Sequence, residues 1–96
     1  MKGAIATSEI FVQERPGEMR RLTLTIAAPE RLEAEAGWSC RVALADVHPA
    51  EACWGADSGG ALLGALGRAR VWLTELEAAH GVLFRDRAAT TPFEMP

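Results

Sequence analysis

The chain has 96 residues, which is enough for one compact domain and too few for a two-domain enzyme with a cleft between lobes. Its 49% hydrophobic and 24% charged residues are typical of a globular domain and exclude an intrinsically disordered chain. The formal net charge is -3 and the basic residues are scattered. Because nucleic-acid binding needs a basic stripe, we expect no nucleic-acid partner.

The N-terminus and the cysteines predict a cytoplasmic protein without a membrane partner. Residues 1–9 lack the apolar core of a signal peptide, and no apolar stretch is long enough to span a bilayer. The two cysteines, Cys40 and Cys53, are too few for the disulfide framework of a small secreted domain. We therefore expect both to be free thiols.

The first half of the chain predicts an antiparallel meander. Residues 4–13 form an apolar run that ends at the turn signal Pro16-Gly17. Residues 21–27 and 38–44 alternate between apolar and polar side chains, which indicates two half-buried strands.

The segments around the third strand predict a loop before it and a fourth strand after it. Residues 29–37 are charged and rich in alanine and indicate a solvated connection. Turn residues follow at 46–49, and residues 51–55 are long enough to pair back on the third strand.

A helix of about 23 residues is predicted between Asp57-Ser58, a typical N-cap, and His80-Gly81, which suits a helix C-terminus. Its apolar residues recur at steps of three and four, which marks one face for the core. These residues are Leu62, Leu66, Ala69, Leu73 and Leu76.

Together these elements predict an α+β fold, in which an antiparallel β-meander of three to four strands carries one long C-terminal α-helix on one face. Residues 1–87 are predicted to form the single domain. Residues 88–96, with two prolines and Thr90-Thr91, favour an extended C-terminal tail that Phe93 and Met95 could dock.

The sequence Asp57-Ser58-Gly59-Gly60 is also found in the nucleophile loop of chymotrypsin-like proteases. That mechanism needs a histidine base and a buried aspartate held by two barrels, more than this chain can form. The nucleophile-elbow pattern fails as well, because Ala56 stands where it requires glycine. We interpret the segment as a capped helix start and predict no catalytic residue.

Cys40, His48 and Cys53 raise the question of a zinc site, since thiolates on facing strands and a histidine at a turn could converge. The chain has no Cys-x-x-Cys spacing and no evident fourth ligand, so we predict no metal and no cofactor. The tryptophans Trp38, Trp54 and Trp72 are predicted to lie in the core.

Two surfaces are candidates for contact with another protein. On a helical wheel, small residues form a strip opposite the leucines, and each glycine there costs about 1 kcal/mol relative to alanine unless a close contact uses it. The strip consists of Gly60, Gly64, Gly67, Val71 and Ala78. The second surface is the polar face of the sheet, with Thr23, Thr25 and Arg41, which one helix leaves open.

The spacing Trp38-x-Cys40, followed by Gly55-x-Asp57-Ser58 and a long amphipathic helix, resembles a family of short bacterial proteins classed as a domain of unknown function. The resemblance covers about residues 38–76 and implies a sheet-then-helix fold without a known catalytic residue. Members of that family usually carry a glutamine before the Ala-Leu pair, where this chain has Gly60. No role of that glutamine can therefore be carried over.

Two functions remain open. The first is a non-enzymatic protein-interaction module that self-associates as a homodimer or binds another protein through the glycine strip, the sheet face or a sheet edge. The alternative is a small-molecule or anion-binding protein, or a minor enzyme, with a pocket at the helix N-terminus. Its predicted lining is Asp57, Ser58, Trp54, Cys53 and His48.

Overall fold

An antiparallel sheet carries one long helix on one of its faces, which confirms the predicted α+β fold class. The computed structural model describes residues 3–34 and 36–94. Within them the elements are β1 (Ala4–Arg15), β2 (Glu18–Ala27), β3 (Glu30–Arg31), β4 (Trp38–Leu44), β5 (His48–Gly55) and α1 (Ser58–His80).

The strands lie in the order of a meander, with β1 next to β2, β2 next to β4, and β4 next to β5. The short strand β3 pairs with Trp38 and Ser39 of β4, immediately before the stretch 42–44 that pairs with β2. Strands β2 and β3 therefore pair with the same edge of β4. Ala28 and Pro29, between the two strands, interrupt this pairing. The meander leaves β1 and β5 as its two outer strands.

The connection before β5 is shorter than the sequence indicates. The turn covers residues 45–47, with Asp46 at a positive φ of 68°, and β5 begins at His48 instead of residue 51. Pro49 lies beside an irregularity in the β4–β5 register, where a residue without an N–H is tolerated. β5 therefore presents a longer outer edge than predicted.

The core lies between α1 and the face of the sheet that it covers. Ala61, Ala65 and Ala69 are fully buried at steps of four residues, so the helix backbone comes close to β4. Trp72, Leu73 and Leu76 complete the buried face of the helix. Strand side chains fill the other half of the core: Ile10, Val12, Leu22, Leu24, Ile26, Cys40, Val42 and Leu44.

The buried face of α1 includes the predicted Ala69, Leu73 and Leu76 but differs from the prediction in the first half of the helix. Leu62 and Leu66 are only half-buried, whereas Ala61 and Ala65 are fully buried. Alanines let the helix lie closer to the sheet than leucines would, and the large Trp72 fills the space further along. The prediction that Trp54 belongs to the core is wrong, because this residue is 62% exposed.

The C-terminal segment lies against β1. Phe11 and Phe84 exchange two backbone hydrogen bonds with N···O distances of 2.8 and 3.0 Å. Phe84 also pairs with Pro92, and the amide of Phe93 donates to the carbonyl oxygen of Leu83 at 2.8 Å. Phe93 packs against the core, while Met95, predicted to help dock the tail, lies outside the described residues.

Candidate functional site

A groove runs between the outer edge of β5 and the exposed flank of α1, and we call it the β5 groove. It has a volume of about 500 Å³. Its lining comes from four consecutive strand residues and four helix residues: Glu51, Ala52, Cys53, Trp54, Gly64, Gly67, Arg68 and Val71.

The short connection between β5 and α1 creates this groove. Only Ala56 and Asp57 separate the two elements, so the helix turns back directly over the end of the strand. Asp57 caps the helix, since its Oδ1 atom accepts a hydrogen bond from the amide of Gly60 at 2.6 Å. The first turns of α1 are thereby fixed beside β5.

Gly64 and Gly67 lie on the helix side of the groove, and they differ in how close the nearest strand atoms are. A Cβ atom on Gly64 would lie 3.4 Å from the Cβ of Cys53, so Gly64 faces the strand. A Cβ atom on Gly67 would meet nothing within 4 Å. The groove is therefore narrow at Gly64 and open at Gly67.

Two large apolar side chains flank Gly67 on the outer surface of the helix. Leu63 is 70% exposed and Val71 is 47% exposed. Residues four apart are neighbours on a helix surface, so Leu63, Gly67 and Val71 form one line, which we call the α1 ridge. It presents two exposed aliphatic side chains with a gap between them.

Charged side chains cross the strand side of the groove. The Nε atom of Arg68 lies 3.4 Å from Oε1 of Glu51, and both side chains are about half exposed. Burial and the nearby Glu51 raise the pKa of the Cys53 thiol, while Arg68 acts in the opposite direction. Burial, with a smaller effect of Cys53, also raises the pKa of Cys40. Both thiols are therefore mainly protonated at neutral pH.

The two outer strands differ in how their edges are covered. Phe84 pairs with Phe11 and covers part of the β1 edge. In the part of the chain that the structure describes, β5 pairs with β4 alone. Its outward N–H and C=O groups are available to another strand.

The residues of the predicted ligand pocket do not come together. Asp57 and Ser58 are exposed at the helix start, and Asp57 is engaged in capping. Trp54 is opposite Ser39, on the face of the sheet away from α1, which we call the open face. His48 lies six residues before Trp54, about 20 Å away at the rise of a strand. Cys53 and the backbone of Trp54 line the β5 groove.

His48 has a structural environment of its own. Its ring stacks on the buried Trp72, with the ring centroids 4.5 Å apart and an angle of 8° between the planes. Its Nε2 atom lies 3.7 Å from Oε2 of Glu75. These contacts join the start of β5 to the second half of α1.

The predicted interface residues divide between two surfaces. Gly64, Gly67 and Val71 line the β5 groove, whereas Gly60 belongs to the capped first turn. The remaining residues, Thr23, Thr25 and Arg41, lie on the open face: Thr25 is opposite Ala43, and Arg41 is opposite Ala52. The helix strip is therefore a wall beside β5, and it does not point directly away from the sheet.

Sequence reasoning did not assign three residues to this site: Glu51 and Arg68 of the groove, and Leu63 of the α1 ridge. The strand alternation carries a signal for Glu51, because it places this residue on the same face as Cys53, toward the helix. Leu63 interrupts the polar side of the helical wheel. Arg68 lies one turn after Gly64, within reach of a strand that the glycine brings close.

The described residues contain no group of three or more His, Cys, Asp or Glu side chains that could hold a metal ion. No helix among them is long and apolar enough to cross a membrane. Comparison with protein-family models, curated proteins and solved structures finds no match for this chain. The family resemblance of residues 38–76 stays a prediction.

Proposed function

We propose that this chain is a non-enzymatic protein-interaction module that self-associates through the β5 groove and the adjoining edge of β5. The observation that carries the proposal is that β5 pairs with a strand on one side only and that the exposed apolar α1 ridge lies beside its other edge. An open strand edge supplies main-chain hydrogen bonds, and the α1 ridge supplies apolar area. Natural proteins protect such edges unless an interaction uses them.

A second copy fits this surface through two-fold symmetry. In the proposed homodimer, β5 pairs antiparallel with β5 of the other copy, so that the same residues contribute from both sides. The two sheets then continue across the axis, and the two α1 ridges lie side by side. Glu51 and Arg68 have opposite charges, so the two-fold axis can bring each acid near the base of the other copy.

We also propose a cytoplasmic location, which is supported by the cysteines. Both Cys40 and Cys53 are free thiols. Cysteines that remain free thiols are expected in a reducing compartment.

The proposal predicts that a charge on the α1 ridge weakens the dimer. Gly67→Lys adds a charged side chain where a Cβ meets no other atom, so the monomer fold should be unaffected. We expect the dimer dissociation constant to rise at least about tenfold, equivalent to about 1.4 kcal/mol. Native mass spectrometry over a protein dilution series, with light scattering, measures this change.

Two control variants make the test specific. Ala79→Lys adds the same charge at another exposed helix position, away from the groove, and should leave association unchanged. Arg41→Glu alters the open face and should also leave it unchanged. A wild-type protein that is monomeric at all concentrations, or a dimer lost with Arg41→Glu and kept with Gly67→Lys, would contradict the proposal. Gly64→Leu is less informative, because its side chain would press against Cys53 and β5.

A further inference from the structure

Cys40 and Cys53 are directly opposite each other on β4 and β5. Directly opposed residues of an antiparallel pair point to the same face of the sheet, here the face covered by α1. Their Cα atoms are about 4.5 or 5.5 Å apart, depending on the type of pair. A disulfide needs a Cα separation of about 4.4–6.8 Å, so the backbone can hold this bond without rearrangement.

The two sulfur atoms differ in access. Cys53 is half-buried at the floor of the β5 groove, and Gly64 across from it has no side chain to cover it. Cys40 is fully buried, and its Sγ atom donates a weak hydrogen bond to the carbonyl oxygen of Ala27 at 3.3 Å. A reagent in solution can therefore reach Cys53 first. When the Cys40 side chain rotates about χ1, its Sγ atom leaves the carbonyl oxygen of Ala27. It can then form a covalent bond to the sulfur of Cys53.

Burial, Glu51 on β5 and Arg68 on α1 act on the reactivity of the Cys53 thiol. Arg68 stabilises the thiolate, whereas burial and Glu51 favour the thiol. The thiolate is the nucleophile in disulfide exchange, so the reaction should become faster as the pH rises.

We infer that Cys40 and Cys53 form a redox pair, in which low-molecular-weight disulfides such as glutathione disulfide oxidise the two thiols to a cross-strand disulfide. This inference goes beyond the proposed self-association and does not depend on it. It assigns Cys53 as the attacking thiol and Cys40 as the resolving thiol. Disulfides of this reversible kind are the ones found in reducing compartments.

The exchange proceeds in two balanced steps. The Cys53 thiolate attacks one sulfur of glutathione disulfide, whose S–S bond breaks, and one glutathione thiolate leaves. Cys40 then loses its proton to water, attacks the Cys53 sulfur and displaces the second glutathione. Two protein thiols are oxidised to one disulfide, and one glutathione disulfide is reduced to two molecules of glutathione.

The test treats the full chain with glutathione disulfide under native conditions, quenches it with acid and measures the intact mass. We expect the loss of two hydrogen atoms. Trypsin without reduction should then give peptide 32–41, which contains Cys40, linked to peptide 42–68, which contains Cys53. Added glutathione should restore two separate peptides.

Single variants separate the two roles. Cys40→Ser should stop at the first step, with one glutathione on Cys53, while Cys53→Ser should remain unmodified. Far-UV circular dichroism identical to wild type establishes that each variant is folded, and Cys40→Ala is a second choice at the buried position. Three outcomes would overturn the inference: two free thiols in the wild type, a persistent glutathione adduct on Cys53, or disulfides between chains.

Discussion

Gly55, the last residue of β5, has no room for a side chain against the start of α1. A Cβ atom on this residue would collide with the backbone amide nitrogen of Ala61 and lie 2.7 Å from its Cα. Both atoms belong to the helix backbone, so a side chain at position 55 cannot be accommodated by a rotamer change. Gly55 therefore allows the approach of α1 that forms the β5 groove.

Gly55→Ala is expected to lower the free energy of unfolding by about 2–3 kcal/mol, because the helix must move away from the sheet to admit the methyl group. Urea denaturation followed by circular dichroism measures the change. The matched control is Gly59→Ala, whose Cβ would meet only Oδ1 of Asp57, at 3.7 Å. This control should be neutral or stabilise by up to about 1 kcal/mol, since alanine favours helix. Equal stabilities for the two variants would contradict the assigned role of Gly55.

At the scale of the elements, the Asp86 side chain stabilises a turn in the C-terminal segment. Its Oδ1 atom accepts hydrogen bonds from the amides of Thr90 and Thr91, both at 3.0 Å, and its Oδ2 atom accepts one from the Thr90 hydroxyl. The Thr90 side chain, followed by the backbone amide of Thr91, lowers the pKa of the Asp86 carboxyl. The charged form of Asp86 therefore stabilises the turn.

This pKa shift predicts that the turn is sensitive to acid. Because the folded pKa lies below the unfolded value of about 3.9, the stabilisation is complete above that value and is lost as the pH falls through the folded pKa. The amide NMR signals of Thr90 and Thr91 should follow this titration. At neutral pH, Asp86→Asn should accelerate hydrogen exchange at the Phe93 amide, which donates to Leu83 in the same segment.

Glu94→Gln is the control for this turn, because the Glu94 group that Arg85 contacts is the backbone carbonyl. It should leave the exchange at Phe93 unchanged. An Asp86→Asn protein with wild-type exchange would show that the turn does not depend on the carboxylate.

Local sequence signals predicted the elements well and their mutual arrangement less well. The turn at Pro16-Gly17 and both helix caps are encoded by residues adjacent to the feature, and Gly17 has the positive φ, 80°, that such a turn requires. The buried face of α1 depends instead on how closely the helix approaches β4, which Gly55 determines. A helical wheel contains no such information, so it assigned Leu62 and Leu66 to the core in place of Ala61 and Ala65.

The candidate site was predicted only in pieces for the same reason. Gly64, Gly67 and Val71 were expected on one surface and Cys53 in a separate pocket, whereas the fold joins them in one groove. The position of β5 at the outside of the sheet brings them together. The predicted meander already placed this strand beside the third one, but how the helix packs along its edge depends on long-range contacts that the alternation within a strand does not contain.

At the scale of the whole molecule, the two outer strands of the sheet differ in whether another segment of the chain covers them. The C-terminal segment covers part of the β1 edge through the Phe84 pairing, and the Arg87 guanidinium lies 5.3 Å from the ring centroid of Phe11. Arg87 also donates a hydrogen bond to the carbonyl oxygen of Met19 on β2, at 3.2 Å. A molecule with one open edge forms a closed two-fold dimer, whereas a molecule with two open edges can form open-ended assemblies.

Removal of residues 84–96 is therefore expected to turn the proposed dimer into larger assemblies. The deletion keeps Leu83 and removes Phe93, which packs against the core, while the β1 edge loses its backbone partner at Phe11. Light scattering should show a mass that increases with protein concentration beyond two chains. The same deletion combined with Gly67→Lys should stop at two chains, because only the β1 edge remains available for pairing. A truncated protein that keeps the oligomeric state of the full chain would show that the C-terminal segment does not protect the β1 edge.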